Sequence, residues 1–120
     1  METIVFILKV IYGAFFCFAG IMHFIKPKFF NGFIPNIFPK LATNFIVGAI
    51  EFTLGFLLFL EDYCNTSALG IIVLLFGLLF IHIWDYTKEK PAIGSKKLAF
   101  IRIPLQFLLM YGSYIIYINS

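Results

Sequence analysis

Charge is what this sequence most lacks. Only 12% of its residues are Asp, Glu, Lys or Arg, against roughly 25% in soluble domains. Apolar residues make up 62% of the chain, and 120 residues enclose too little interior to hide that much surface from water. A soluble fold is therefore excluded, and the remaining solvent is lipid. Cysteine is scarce as well. Cys17 lies in the first apolar segment and Cys64 in a short connection, with no CxxC, no CxxCH and no Cys/His cluster. A disulfide framework and a metal site are both unexpected. The long runs do not alternate polar with apolar residues, which removes a β-barrel. The start, Met1-Glu2-Thr3, has no basic leader, and no small-residue cleavage site follows a short core. The first apolar segment is thus expected to be a span and not a cleaved signal.

What is present is length enough for four spans. At about 20 residues each they take about 80 residues and leave about 40 for connections, so a multidomain enzyme has no room. The expected spans are 3–25, 41–60, 67–84 and 98–118, within one transmembrane domain covering 1–120. All should be helices, because lipid offers backbone groups no partner outside their own segment. The fold class is therefore all-α: an integral membrane four-helix bundle with an interfacial segment between helices 1 and 2. That segment, 26–40, carries Pro27, Pro35, Pro39 and Gly32 among Phe and Ile, with lysines at its flanks. It cannot be one helix. It is expected either to anchor in the interface or to cap the bundle. Residues 85–97 are expected to form a hydrated loop with a turn at Pro91 and Gly94.

Charge is distributed asymmetrically. Lys26, Lys28 and Lys40 occupy the first connection, and Lys88, Lys90, Lys96, Lys97 and Arg102 the third, so one side holds 8 of the 9 basic residues. The other side has Lys9 and the acidic Glu61-Asp62 turn. The excess of basic residues orients the basic loops to the cytoplasm and both termini outside. The net charge of +3 is modest, and nucleic acid is not an expected partner.

Glycines recur at seven-residue spacing in three spans: Gly13 and Gly20, Gly48 and Gly55, Gly70 and Gly77. Small residues allow close helix approach in lipid, and the heptad interval suits shallow left-handed crossing. Polar groups extend the same stripes: Lys9 and His23 in span one, Asn44 and Glu51 in span two, with Arg102, Gln106, Ser113 and Tyr117 along one face of span four. A charge at mid-membrane costs roughly 2.5–3.5 kcal/mol on insertion scales, so these faces should meet protein. Glu51 is the deepest. It is expected to be a neutral buried acid, a partner of Arg102, Lys9 or His23, or a proton carrier or ligand contact. His82 points away from the Gly70/Gly77 face, which separates it from His23 and leaves it to Asp85 or an interfacial role. Lys9 is expected to snorkel outward. Arg102, with Pro104 read as lying in the first turn, anchors headgroups or pairs inside the bundle. Lys9, His82 and Asp85 are secondary site candidates. The aromatic residues serve a cavity for a quinone or lipid tail, or simple packing.

The run Gly20-Ile21-Met22-His23-Phe24-Ile25-Lys26-Pro27, with Phe30, Ile34-Pro35 and Pro39, resembles the first-span signature of the DoxX-like family of small bacterial four-helix membrane proteins. Glu51 in a Gly-rich second span and Arg102-Ile103-Pro104-Leu105-Gln106 in the last extend the resemblance over nearly the whole chain. It implies His23, Glu51, Arg102 and Gln106 as ligand-binding or buried polar residues. Where relatives often carry Pro and Asn late in span three, this chain has Phe80-Ile81-His82-Ile83-Trp84, so nothing carries over for His82. The family's name comes from a subunit associated with a terminal quinol oxidase and thiosulfate:quinone oxidoreductase; distant animal relatives act in receptor assembly. The resemblance thus implies the bacterial cytoplasmic (inner) membrane and an accessory, non-catalytic subunit of a redox-linked membrane protein complex. The alternatives are a binder or transporter of a small amphiphilic ligand such as a quinone or lipid, and a small enzyme using Glu51 and His23 as acid and base. The orientation has a direct test. A reporter active only outside the cytoplasm, fused after Ser120, is expected to be active; an active cytoplasmic reporter there would overturn the topology.

Overall fold

The computed structural model describes residues 2–89 and 93–119. It consists of α1 (Glu2–Ile25), a 3₁₀ helix (Pro27–Phe33, the cap helix), α2 (Lys40–Leu57), α3 (Cys64–Tyr86) and α4 (Lys96–Ile118), with no strand among the described residues. All four α-helices are long and apolar enough to cross a membrane, and their outward faces carry large apolar side chains such as Phe6, Phe18, Val73 and Leu108. This is a multi-pass membrane protein built as a helical bundle.

The helix ends differ from expectation for local reasons. α2 stops at Leu57, three residues early, because Phe59 and Leu60 bond the carbonyls of Phe56 and Leu57 in tighter i→i+3 turns. α3 begins early, so Cys64 is its first residue and is buried instead of lying in a connection. α4 starts at Lys96, where Ser95 Oγ accepts from the Leu98 N–H at 3.2 Å. Pro104 consequently sits in the interior of α4, not in its first turn. Lacking an N–H, it leaves the Phe100 carbonyl without its usual helical donor. The expected turn at Pro91 lies outside the described residues, while Gly94 has a left-handed φ of 128° that glycine tolerates at no steric cost.

α1 and α2 touch backbone to backbone. A Cβ added at Gly20 would lie 2.6 Å from both the Gly48 carbonyl oxygen and the Phe52 nitrogen. One added at Gly55 would lie 2.7 Å from Cys17 N and 2.8 Å from Gly13 O. The third glycine pair behaves otherwise. Gly70 meets only the Leu54 side chain, and Gly77 faces open space. The buried stripe of α3 is Cys64, Ala68, Ile71, Leu75 and Leu79, so in this helix the small inward residues are Ser67 and Ala68. Against Ala68 α4 offers Ser113, while the neighbouring Gly112 makes room for the Tyr12 side chain of α1. Ser113 Oγ donates to the Ala68 carbonyl at 2.8 Å and Asn65 Nδ2 to Tyr117 O at 2.8 Å. Ser67 Oγ donates to the Leu54 carbonyl of α2, and Tyr12 OH of α1 to Leu109 O of α4 at 2.8 Å. In lipid, such bonds and close packing replace the hydrophobic drive.

The bundle is thus two intimate pairs, α1 with α2 and α3 with α4, which meet each other more sparsely. At the end bearing the basic connections, the gap between the pairs is roofed by the cap helix. Lys40 Nζ donates to Asn31 O at 3.2 Å and to Ile34 O, and Lys88 Nζ donates to Gly32 O at 2.6 Å. The segment 26–40 thus caps the bundle, and its outward side carries exposed Phe29, Ile37 and Phe38. Gly20→Val should destabilise the fold by about 1–3 kcal/mol or more through overpacking. Gly77→Ala should be neutral or stabilise by up to about 1 kcal/mol, from helix propensity alone. Unfolding titrations in mixed micelles of both variants check this opposite sign.

Candidate functional site

Between the two helix pairs and beneath the cap lies a pocket of about 400 Å³, within the usual size range of small-molecule sites. Its walls are mainly apolar, with Phe15, Phe16, Leu75 and Leu78 among them. Each long helix adds polar side chains: His23 from α1, Asn44 and Glu51 from α2, His82 from α3 and Arg102 from α4.

The α1–α2 wall is a connected network. His23 Nε2 lies 2.8 Å from Glu51 Oε1 and its Nδ1 lies 2.8 Å from Asn44 Oδ1. Asn44 Nδ2 donates to the Lys40 carbonyl and to Asn31 Oδ1, both at 3.0 Å. All three side chains are buried, at 8% exposure for His23, 0% for Asn44 and 6% for Glu51. A backbone carbonyl can only accept, so the Asn44 atom facing Lys40 O is the NH₂ group. The atom facing His23 is therefore the oxygen, and His23 Nδ1 must carry a hydrogen. At the other ring nitrogen, one proton has to lie between Nε2 and Oε1, either as imidazolium with carboxylate or as imidazole with carboxylic acid. Two lone pairs cannot face each other at 2.8 Å. Glu51 Oε1 has no hydrogen-bond partner besides this imidazole nitrogen among the described residues.

The cap contributes an aromatic ring to each histidine. Phe30 stacks on His23 with centroids 3.8 Å apart and planes 20° apart, and Phe33 meets His82 edge-on at 5.9 Å. Asp85 is buried beside the pocket, with Lys88 Nζ at 3.3 Å from its carboxylate and the Ile93 N–H donating to it at 3.3 Å. Lys88 also lies over the Trp84 ring, 3.8 Å from its centroid.

His23, Glu51 and Arg102 therefore converge, and among the partners considered for Glu51 the structure selects His23. His82 requires a correction. It does point away from Gly77, but Gly77 is the outward face of α3, so His82 lines the same pocket as His23. Gln106 is one layer behind the wall. Its Nε2 donates to the carbonyl of Leu75 at 2.9 Å, while its buried Oε1 has no partner among the described residues. Lys9 is remote, in a small recess with Glu2 and Asn119. Sequence reasoning placed Asn44 on the polar stripe but not in the site; its position seven residues before Glu51, across Gly48, was the signal. For Asn31, Phe30 and Phe33 no periodic signal exists, because they lie in a proline-broken segment.

The model of a family described as a domain of unknown function (DUF8561) matches residues 12–116. The chain belongs to the DUF8561 family. No curated protein and no solved structure matches it. The stretch shared with DUF8561 includes every residue of the pocket wall, whereas Lys9 falls before it. In this DUF8561 chain, ¹⁵N NMR of the histidine side chains should show His23 with a protonated Nδ1. Asn44→Leu should remove that signature and cost about 1–3 kcal/mol of stability, because it leaves the His23 Nδ1–H donor unpaired and takes the amide donor from Lys40 O and Asn31 Oδ1. Retention of the Nδ1 signal in the variant would refute the role given to the Asn44 amide.

Proposed function

We propose that this chain binds a small amphiphile within the membrane, its polar head against the polar residues of the pocket and its apolar body against Phe15, Leu75 and Leu78. The supporting observation is the convergence of polar side chains from all four membrane-crossing helices on one largely apolar pocket under an aromatic cap. A seam serving only to fix helix geometry would be satisfied internally. The His23–Asn44–Glu51 network meets that description, but Arg102 and His82 extend the polar lining to the opposite wall without joining it. Pockets with apolar walls and a few convergent polar groups are the usual form of small-molecule sites. The amphiphile class includes quinones and single-chain lipids, so this reading is compatible with the DoxX-like resemblance and an association with a redox-linked complex. We extend the proposal to a bacterial cytoplasmic membrane with the cap on the cytoplasmic side, on the strength of the basic connections.

Native mass spectrometry of the protein extracted gently in near-native lipid should find one small molecule retained at fixed stoichiometry. Ala19→Trp, which fills the pocket from α1, should release it, and Glu51→Gln should weaken its retention. A folded wild-type chain that never carries a small molecule, or carries it equally after Ala19→Trp, would overturn the proposal.

A further inference from the structure

Four of the residues lining the pocket are titratable: His23, Glu51, His82 and Arg102. Their charges do not cancel. His23 and Glu51 share a single proton across the 2.8 Å contact, because the Asn44 oxygen already commits the other ring nitrogen to donating. In both of its forms that pair sums to zero. Arg102 keeps its charge, since guanidinium does not lose its proton in proteins. Among the described residues it has neither a hydrogen bond nor an ion pair, and the remaining residues, Met1, Lys90, Pro91, Ala92 and Ser120, bring no acidic side chain.

The neighbouring charges are already engaged. Asp85 is matched by Lys88, and Lys88 and Lys40 both bond carbonyls of the cap segment. A guanidinium lining a pocket six residues inside a membrane-crossing helix, with no counter-ion among the described residues, is costly. His82 faces the same space with the edge of Phe33 beside it, and its ring is a further donor. The pocket thus holds one uncompensated positive charge next to a long apolar wall.

We propose that the occupant is an amphiphile carrying one negative charge, a carboxylate or phosphate head bound by Arg102 with His82 beside it. This rests on the pocket being a ligand site. The planar guanidinium fork matches both head groups in two-point contact. A neutral quinone would leave Arg102 uncompensated.

The test uses the full chain in nanodiscs of phosphatidylcholine. The probe is a dansyl-labelled undecanoic acid compared with its methyl ester, which has the same body without the charge. The acid is expected to bind about tenfold or more tighter than the ester, the ratio of a charged hydrogen bond to none. Arg102→Gln should erase that ratio, and Arg102→Lys should restore part of it. Equal binding of acid and ester by the wild type overturns the anionic occupant while leaving an amphiphile site in place. Binding of neither removes the ligand site itself. The wild-type comparison stands even where Arg102→Gln does not fold, and a folded Arg102→Gln that still prefers the acid overturns the role of Arg102. Millimolar inorganic phosphate should not displace the acid; displacement would mean a free anion from water and would overturn the amphiphile. In discs containing phosphatidylglycerol, displacement of the probe identifies a bilayer lipid phosphate as the occupant's head, and its persistence excludes this lipid and favours a carboxylate.

Discussion

A side chain at Gly48 would collide with His23: an added Cβ there would stand 2.7 Å from the histidine Cβ. This close approach, repeated at Gly20 and Gly55, governs the rest of the molecule. It draws α1 onto α2 closely enough for His23 to reach Asn44 on one side of Gly48 and Glu51 on the other. The glycine stripe and the polar network are one feature, since residues 44, 48 and 51 share a face of α2 and the glycine between the polar pair is the seat of the imidazole. Widening the helix spacing would separate the histidine from both partners at once, leaving an acid and an imidazole buried and unpaired at a cost of several kcal/mol.

Lipid makes that arrangement economical in a way water would not. Burying a lone carboxylate is prohibitive, but an acid and an imidazole with one proton between them carry no net charge. The remaining polar bonds of the bundle follow the same logic by a different means. Tyr12, Ser67, Gln106 and Ser113 each donate to a backbone carbonyl of another helix. Each joins two elements without introducing charge.

The helices and the α1–α2 half of the site were legible in the chain because lipid enforces simple rules: long apolar runs must be helices, small residues mark close contact, and buried charge must meet protein. Glu51, His23 and Arg102 stood out for those reasons. The rules failed where a glycine marked nothing. Gly77 faces open space, so an inward Gly77 turns His82 the wrong way; α3 and α4 meet where Ser113 bonds the Ala68 carbonyl, and the glycine beside it, Gly112, receives Tyr12 of α1. Gln106 sits on the right face yet spends its amide on Leu75, a choice of partner that spacing cannot encode. The cap was least legible. Proline excludes a helix through 26–40 but says nothing about which rings fold inward, and Phe30 and Phe33 owe their positions to lysine bonds from α2 and from beyond α3.

The bond from Lys88 to the Gly32 carbonyl spans 56 residues, and that distance has a meaning in the order of synthesis. The glycine contacts of α1 with α2 and the His23–Glu51 pair lie wholly within the first hairpin, so every group they need has been made once α2 is complete. The roof cannot yet be fastened, because its second lysine has not been made. Only when α3 is complete does Lys88, two residues beyond it, arrive to hold the cap. By then Leu75 and His82 already stand in α3, while Arg102, the cation that completes the pocket wall, is still to follow in α4. The pocket is therefore a late product of assembly, and a chain interrupted after its first hairpin would hold the His23–Glu51 pair but no chamber, and would lack Ala68, Ile71, Leu75 and Ile116 of the core.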